Sequence, residues 1–195
     1  MRSRSPSCQA ASTTGKSSIN RTRQCAIQGY VTCSNIGLGH LRYHRWATNQ
    51  ILQETTPLPS EQLVKDLRGS FHGIYDTLVH IFQADSIWLD RLEGRPTGAL
   101  ADYQAPGCTF ELRDAWMGIL DKMVCWAEGL SEADWSREMS YKTLAGISYN
   151  TPLWQMVLHI VNHGSHHRGQ ITGMLRQLGI KPVNLDLISF YRENG

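Results

Sequence analysis

No aspartate or glutamate occurs before Glu54 in this 195-residue chain, and that absence divides it. Residues 1–35 carry Arg2, Arg4, Lys16, Arg21 and Arg23 against no acid, whereas residues 36–195 carry 14 basic and 17 acidic side chains, a net −3 hidden beneath the overall +2. A body that is neutral to slightly acidic is a poor match for polyphosphate, so no nucleic-acid partner is expected. No apolar run approaches the ~18 residues that a membrane helix needs, so no membrane partner is expected either. The five cysteines are odd in number and make no C-x-x-C pair, which argues against a disulfide framework or an all-cysteine zinc site. A reducing, cytoplasmic location is the simplest expectation. Near the N-terminus there is no apolar stretch of the kind a bacterial signal peptide requires.

Large apolar residues are also scarce in residues 1–24, where Ser, Thr, Arg, Asn and Gln dominate. Such a segment buries too little surface to offset its ordering entropy, so residues 1–35 are expected to be a disordered extension. Three origins remain open for it: a plain tail, translated sequence ahead of the true start, or an Arg- and Ser-rich organelle presequence.

From Ile36 onward the pattern is helical. Leu38, Leu41, Trp46, Ile51 and Leu52 predict a first helix over 36–54, stopped by Pro57 and Pro59. Ser60-Glu61 predicts a short helical turn. Ser70 is placed to cap a second long helix whose apolar face includes Phe71, Ile74, Leu78, Ile81, Trp88 and Leu92, ending at Gly94 and Pro96. After a connector over 94–108, a third helix is expected from Phe110 to Leu130. Ser131 and Asp134 then resemble a capping box. Periodicity weakens between Trp135 and Tyr149, which suits a short β-hairpin or an irregular crossover. Thr151-Pro152 predicts the start of a fourth helix that runs to Leu178 before Gly179. The Val183–Glu193 tail is apolar enough to pack as a short strand or a turn of helix. These elements predict an all-α four-helix bundle over residues 36–195, with a longer crossover before the last helix.

Bundles of this kind build metal sites from inward side chains on facing helices. Four of the eight histidines fall within nine residues: His159, His163, His166 and His167. His163 and His167 are four apart, about 40° round the helix, so both rings can reach one ion. His159 and His167 are separated by about 12 Å of rise, too far to share it, and His166 points to the other side of His163. Gly164 follows His163, so the H-E-x-x-H zinc-protease signature is absent. A third ligand must come from elsewhere. His80, beside Leu78 and Ile81 on the second long helix, is the best candidate, and His72 is the spare. A lone histidine is usually a surface or hydrogen-bonded residue, but several unpaired imidazoles on one apolar helix are costly to bury, and an ion removes that cost.

Three segments carry a family resemblance: Tyr43-His44-Arg45-Trp46-Ala47-Thr48-Asn49, Thr77-Leu78-Val79-His80-Ile81-Phe82-Gln83-Ala84-Asp85 and His163-Gly164-Ser165-His166-His167-Arg168-Gly169-Gln170. Together with Leu185–Glu193 they resemble the DinB/YfiT-like family in order and spacing. The resemblance implies an up-down-down-up four-helix bundle, a homodimer, and a divalent ion, zinc or nickel in many members, held by three histidines. Carried over, these are His80, His163 and His167. It also implies activity on small-molecule substrates. Some relatives are thiol-dependent transferases or isomerases that use bacillithiol, mycothiol or glutathione, and others resemble metal-dependent hydrolases.

Three protein ligands leave open positions on an ion, the arrangement of a catalytic site, where a water or thiol loses its proton near neutral pH. The expected chemistry is attack of a low-molecular-weight thiol on a small electrophile, with ester or amide hydrolysis as the variant and a non-catalytic metal- or ligand-binding protein as the rival. Asp85, about 140° round the helix from His80, is expected to pair with Arg91 or, across the bundle, with Arg168. Arg168 is also a candidate for an anionic substrate group, and Gln170 for orienting a ligand histidine. His159 and His166 match no ligand position. Trp46, Trp88, Trp116 and Trp154 are expected in the core.

Overall fold

The computed structural model describes residues 32–194, so residues 1–31 of the expected extension, with Cys8 and Cys25, lie outside the described residues. In chain order the elements are α1 (Cys33–Thr55), α2 (Ser60–Leu63), α3 (Ile74–Leu92), a 3-10 turn (Leu100–Asp102), α4 (Thr109–Glu128), α5 (Glu132–Trp135), β1 (Glu138–Lys142), β2 (Ser148–Pro152), α6 (Leu153–Gln177) and α7 (Leu187–Asn194). Helix α1 packs on α4 and α6, and α3 packs on the same two, so α1 and α3 are diagonal partners in an all-α four-helix bundle. The core between them holds the fully buried Trp116 and Trp135 with Leu41, Leu52, Leu78 and Leu112. Trp46 and Trp88 lie partly buried against it, whereas Trp154 is exposed, contrary to expectation, because it falls on the outward side of the first turn of α6. No helix among the described residues is long and apolar enough to cross a membrane.

Helix α1 begins ahead of Ile36. Thr32 Oγ1 accepts the Asn35 amide, and the Glu132 carboxylate accepts the amides of Cys33 and Ser34 at 2.9 and 3.1 Å. A carboxylate from α5 thus caps the positive end of α1. Ser131 and Asp134 form the expected capping box on α5. The weakly periodic stretch is a hairpin: β1 and β2 pair antiparallel from Glu138–Pro152 to Lys142–Ser148, with Gly146 at φ +80° in the turn. Thr151 and Pro152 belong to β2, not to the last helix, which starts at Leu153 with no side-chain cap. The tail forms α7 and buries Phe190 against the Tyr43 and Trp46 rings.

The start of α3 departs from the sequence reading. Ser70 does not cap it; the helix begins at Ile74 after Gly73. Residues 67–73 fold instead into a tight loop in which the Leu67 amide donates to His72 O at 2.8 Å, and Arg68 and His72 adopt φ +56° and +55°. Left-handed backbone is uncommon for non-glycine residues, so this loop is held by its surroundings rather than by local preference. A Cβ on Gly73 would lie 2.9 Å from the carbonyl oxygens of Leu63 and Lys65, so glycine permits that close approach.

Helix α6 is fastened to α1 and α3 by a buried polar array. Arg168, 1% exposed, donates from Nη1 to His44 Nδ1 at 2.9 Å and to Thr48 Oγ1 at 3.1 Å, and from Nη2 to Ser165 Oγ at 3.0 Å. A guanidinium only donates, so His44 Nδ1 accepts and Nε2 carries the proton. Nε2–H then donates to Asp85 Oδ2 at 3.0 Å, which also accepts from Trp116 Nε1 at 2.8 Å. Asp85 therefore bonds neither Arg91 nor Arg168 directly; the neutral imidazole of His44 stands between the acid and Arg168. Gly164 makes room for this array, since a Cβ there would overlap the His44 ring. Removing one charge of a buried pair strands the other, at roughly 3–5 kcal/mol. Asp85→Ala is accordingly expected to lower unfolding free energy by that amount in urea titrations; a loss below about 1 kcal/mol would show that the array does not fasten the bundle.

Candidate metal centre

His163 and His167 project from successive turns of α6 toward α3, where His80 meets them. One ligand nitrogen from each lies within 4.8 Å of the other two. His80 Nε2 and His163 Nε2 are 3.1 Å apart. Two nitrogens each 2.0–2.1 Å from a tetrahedral ion would be separated by about 3.3 Å, so this spacing suits one shared ion. Among the described residues no carboxylate or thiol joins the group.

Gln170 orients the third ring. Its Oε1 only accepts, so His167 Nδ1 carries the proton and donates to it at 2.8 Å, leaving Nε2 with a free lone pair. Gln170 Nε2 in turn lies 3.3 Å from Ser70 Oγ and from His166 Nε2. Gln170 thus contacts His167, and the loop before α3 is tied to it through Ser70.

Burial pushes the His163 imidazole down to about 4, helped by the neighbouring His167 and His80 rings. Burial, then His167, also lowers His80. Imidazoles held below their usual 6.5 are neutral at physiological pH and present lone pairs rather than protons. His80 and His163 are half-buried, while His167 is 8% exposed, so the cluster is walled on one side and accessible on the other.

The unexpected loop supplies the wall. Phe71 precedes the helix and stacks on His80 at 4.1 Å between centroids, with its ring edge-on to His167 at 5.5 Å. His72, the spare ligand candidate, is instead turned outward with its side chain 79% exposed, 3.9 Å from Asp66. His166 is exposed and contacts Gln170; His159 is exposed and packs on Trp88 at 5.0 Å. Asp85 and Arg168 lie in the buried array between α1, α3 and α6, not in the cluster, and Arg168 is engaged by protein groups on both terminal nitrogens. A cavity of about 870 Å³ bordered by Arg176, Lys181 and Asp186 lies against the opposite face of α6 and includes none of the three histidines.

Sequence reasoning missed His44 and Phe71. His44 had a signal: with Thr48 four residues on, it makes a polar pair on the face that also carries Leu41, Ala47 and Ile51. Phe71 had none, because its helical-looking register concealed a turn.

Comparison with known proteins agrees with this architecture. The family model described as "DinB family" matches residues 34–194. Protein DinB of Bacillus subtilis (strain 168) is 25% identical over 151 residues, covering 74% of this chain and 87% of that protein. The uncharacterised protein YizA of the same organism is 26% identical over 134 residues, covering 67% of this chain and 80% of that protein. A crystal structure of a DinB-like protein from Bacillus cereus ATCC 10987 superposes with a TM-score of 0.58 at 21% identity, covering 73% of this chain and 91% of that one, a likeness of fold. With the family model spanning nearly all the described residues, the chain belongs to the DinB family.

Proposed function

We propose that His80, His163 and His167 hold one divalent transition-metal ion, and that the protein is a metal-dependent enzyme joining a low-molecular-weight thiol to a small electrophile. The observation that carries this reading is the convergence of three imidazole nitrogens on one point that is open on one side, with His80 and His163 held below their ordinary proton affinity by burial. An all-nitrogen donor set with no charge of its own suits zinc or nickel, and an open side suits catalysis rather than a closed structural site. When bound, such an ion supplies Lewis acidity and lowers the pKa of a water or thiol beside it.

The chain's own residues do the rest. Gln170 fixes the ring plane and tautomer of His167. Phe71 restrains His80 by stacking and keeps water from that side of the ring. The half-exposed edges of His80 and His163 leave room for a reactant, and His159 with Trp88 continues the same face of α6 toward the hairpin.

Protein loaded with zinc or nickel is expected to conjugate a thiol such as bacillithiol, mycothiol or glutathione to a chlorodinitroaromatic electrophile, with the rate lost in His163→Ala. Gln170→Ala should weaken metal affinity by about 10–100-fold. Equal rates for wild type and His163→Ala would refute the reading, and thiol-independent ester hydrolysis that vanishes in the same variant would replace transfer by hydrolysis.

The depressed histidines also predict a pH dependence for the metal-free protein. In the unfolded chain His163 takes up a proton near pH 6.5, but in the folded protein only near 4. Between these values the unfolded state binds more protons, so stability rises with pH across the window and falls as pH drops from about 6.5 toward 4. Thermal midpoints should fall over that range, and fall less in His163→Ala; a flat profile would contradict the assigned burial.

A further inference from the structure

We propose that Arg91 is the anchor of an oxyanion-binding subsite between the end of α3 and the β-hairpin, built to take the carboxylate or phosphate group of a small molecule. Arg91 is only 8% exposed, and its Nε has no hydrogen-bond partner among the described residues. Asp85, for which Arg91 and Arg168 are the two expected partners, is instead taken by His44 and Trp116. Among the described residues no acid lies within ion-pair distance of Arg91, and the segment 1–31 contains no acidic side chain that could serve. A buried guanidinium without a carboxylate is exceptional, since buried charges are ordinarily paired.

What surrounds Arg91 indicates its ligand. The guanidinium carbon lies 4.5 Å from the centroid of the Trp88 ring and 5.0 Å from that of Tyr141, contacts that hold the group but satisfy none of its N–H donors. Beside it is a cavity of about 490 Å³, lined also by Thr97, Ser140, Lys142 and Asn150. That volume falls in the range of small-molecule sites. No acidic residue lines it. The nearby acids are engaged elsewhere: Asp90 by Arg95 and by the Tyr103 hydroxyl, Glu93 by Arg95. The cavity thus presents three cations, Arg91, Lys142 and the ion-paired Arg95, with hydroxyl and amide groups and the rings of Tyr141 and Tyr149. A planar, partnerless guanidinium matches an oxyanion, which accepts two of its N–H groups at once.

The assignment stands whether or not the histidine cluster holds an ion. The two are nonetheless joined by ring contacts, Trp88 to His159 at 5.0 Å and His159 to His163 at 6.0 Å, so a ligand bound by its anionic end at Arg91 would lie along the face that leads to the cluster.

Calorimetric titration of the full chain with inorganic phosphate, and separately with succinate, tests the subsite. At least one probe should bind saturably with a Kd on the order of 1 mM, and the stronger probe identifies a phosphate or a carboxylate ligand. Arg91→Gln should weaken that binding by about tenfold or more, and Arg91→Lys should retain part of it. Lys142→Glu, on the exposed strand β1, should weaken binding without disturbing the fold, and so keeps the test decisive if Arg91→Gln does not fold. Absence of saturable binding by both probes, or equal affinity in wild type and Lys142→Glu, would overturn the proposal.

Discussion

The position of α6 rests on one buried interaction, the relay from Arg168 through the neutral ring of His44 to Asp85. Each member lies on a different long helix, so the array fixes α6 against α1 and α3 together. Hydrophobic contacts alone would tolerate sliding by fractions of a turn, because apolar packing is not directional. Hydrogen bonds to charged groups in a dry interior are directional, and breaking them strands a charge. The array therefore sets the register between α3 and α6, on which the meeting of His80 with His163 and His167 depends. Gly164 belongs to the same device, because the helix face carrying the histidine pair must approach His44 closely.

The cluster itself combines that register with a local constraint. Four-residue spacing brings the α6 pair together, Gln170 fixes the His167 tautomer, and the loop at 67–73 swings Phe71 over His80. Two residues of the loop, Arg68 and His72, are left-handed, at a cost of order 1–3 kcal/mol each. Strain of this kind persists where the surroundings over-determine it, and here Ser70 and Phe71 both touch the cluster or its support. Burial then lowers the proton affinity of His80 and His163, which favours a site that offers lone pairs at neutral pH.

Much of this was legible before any coordinates. Apolar periodicity marked the four helices, and Pro57, Gly94 and Gly179 marked three of their ends, because those signals are local. The histidine spacing pointed to one shared face, and His80 followed from its place among inward residues. Harder to read was whatever depended on contacts distant in sequence. Asp85 lies about 120° round α3 from Arg91, and only the fold reveals His44 as its partner. Ser70 looked like a helix cap because Phe71 continues the apolar period, yet the chain turns there to bring that ring onto His80. Thr151-Pro152 carried a helix-start signal that hairpin pairing with Glu138 and Met139 overrode.

Cobalt(II) titration of the metal-free protein tests the central claim, that three imidazoles on α3 and α6 form one metal site. Visible ligand-field absorption should saturate at a single equivalent and show nitrogen coordination, and His80→Ala should lose it despite leaving the α6 pair intact. Absence of saturable absorption, or a spectrum and affinity unchanged in His80→Ala, would contradict the account.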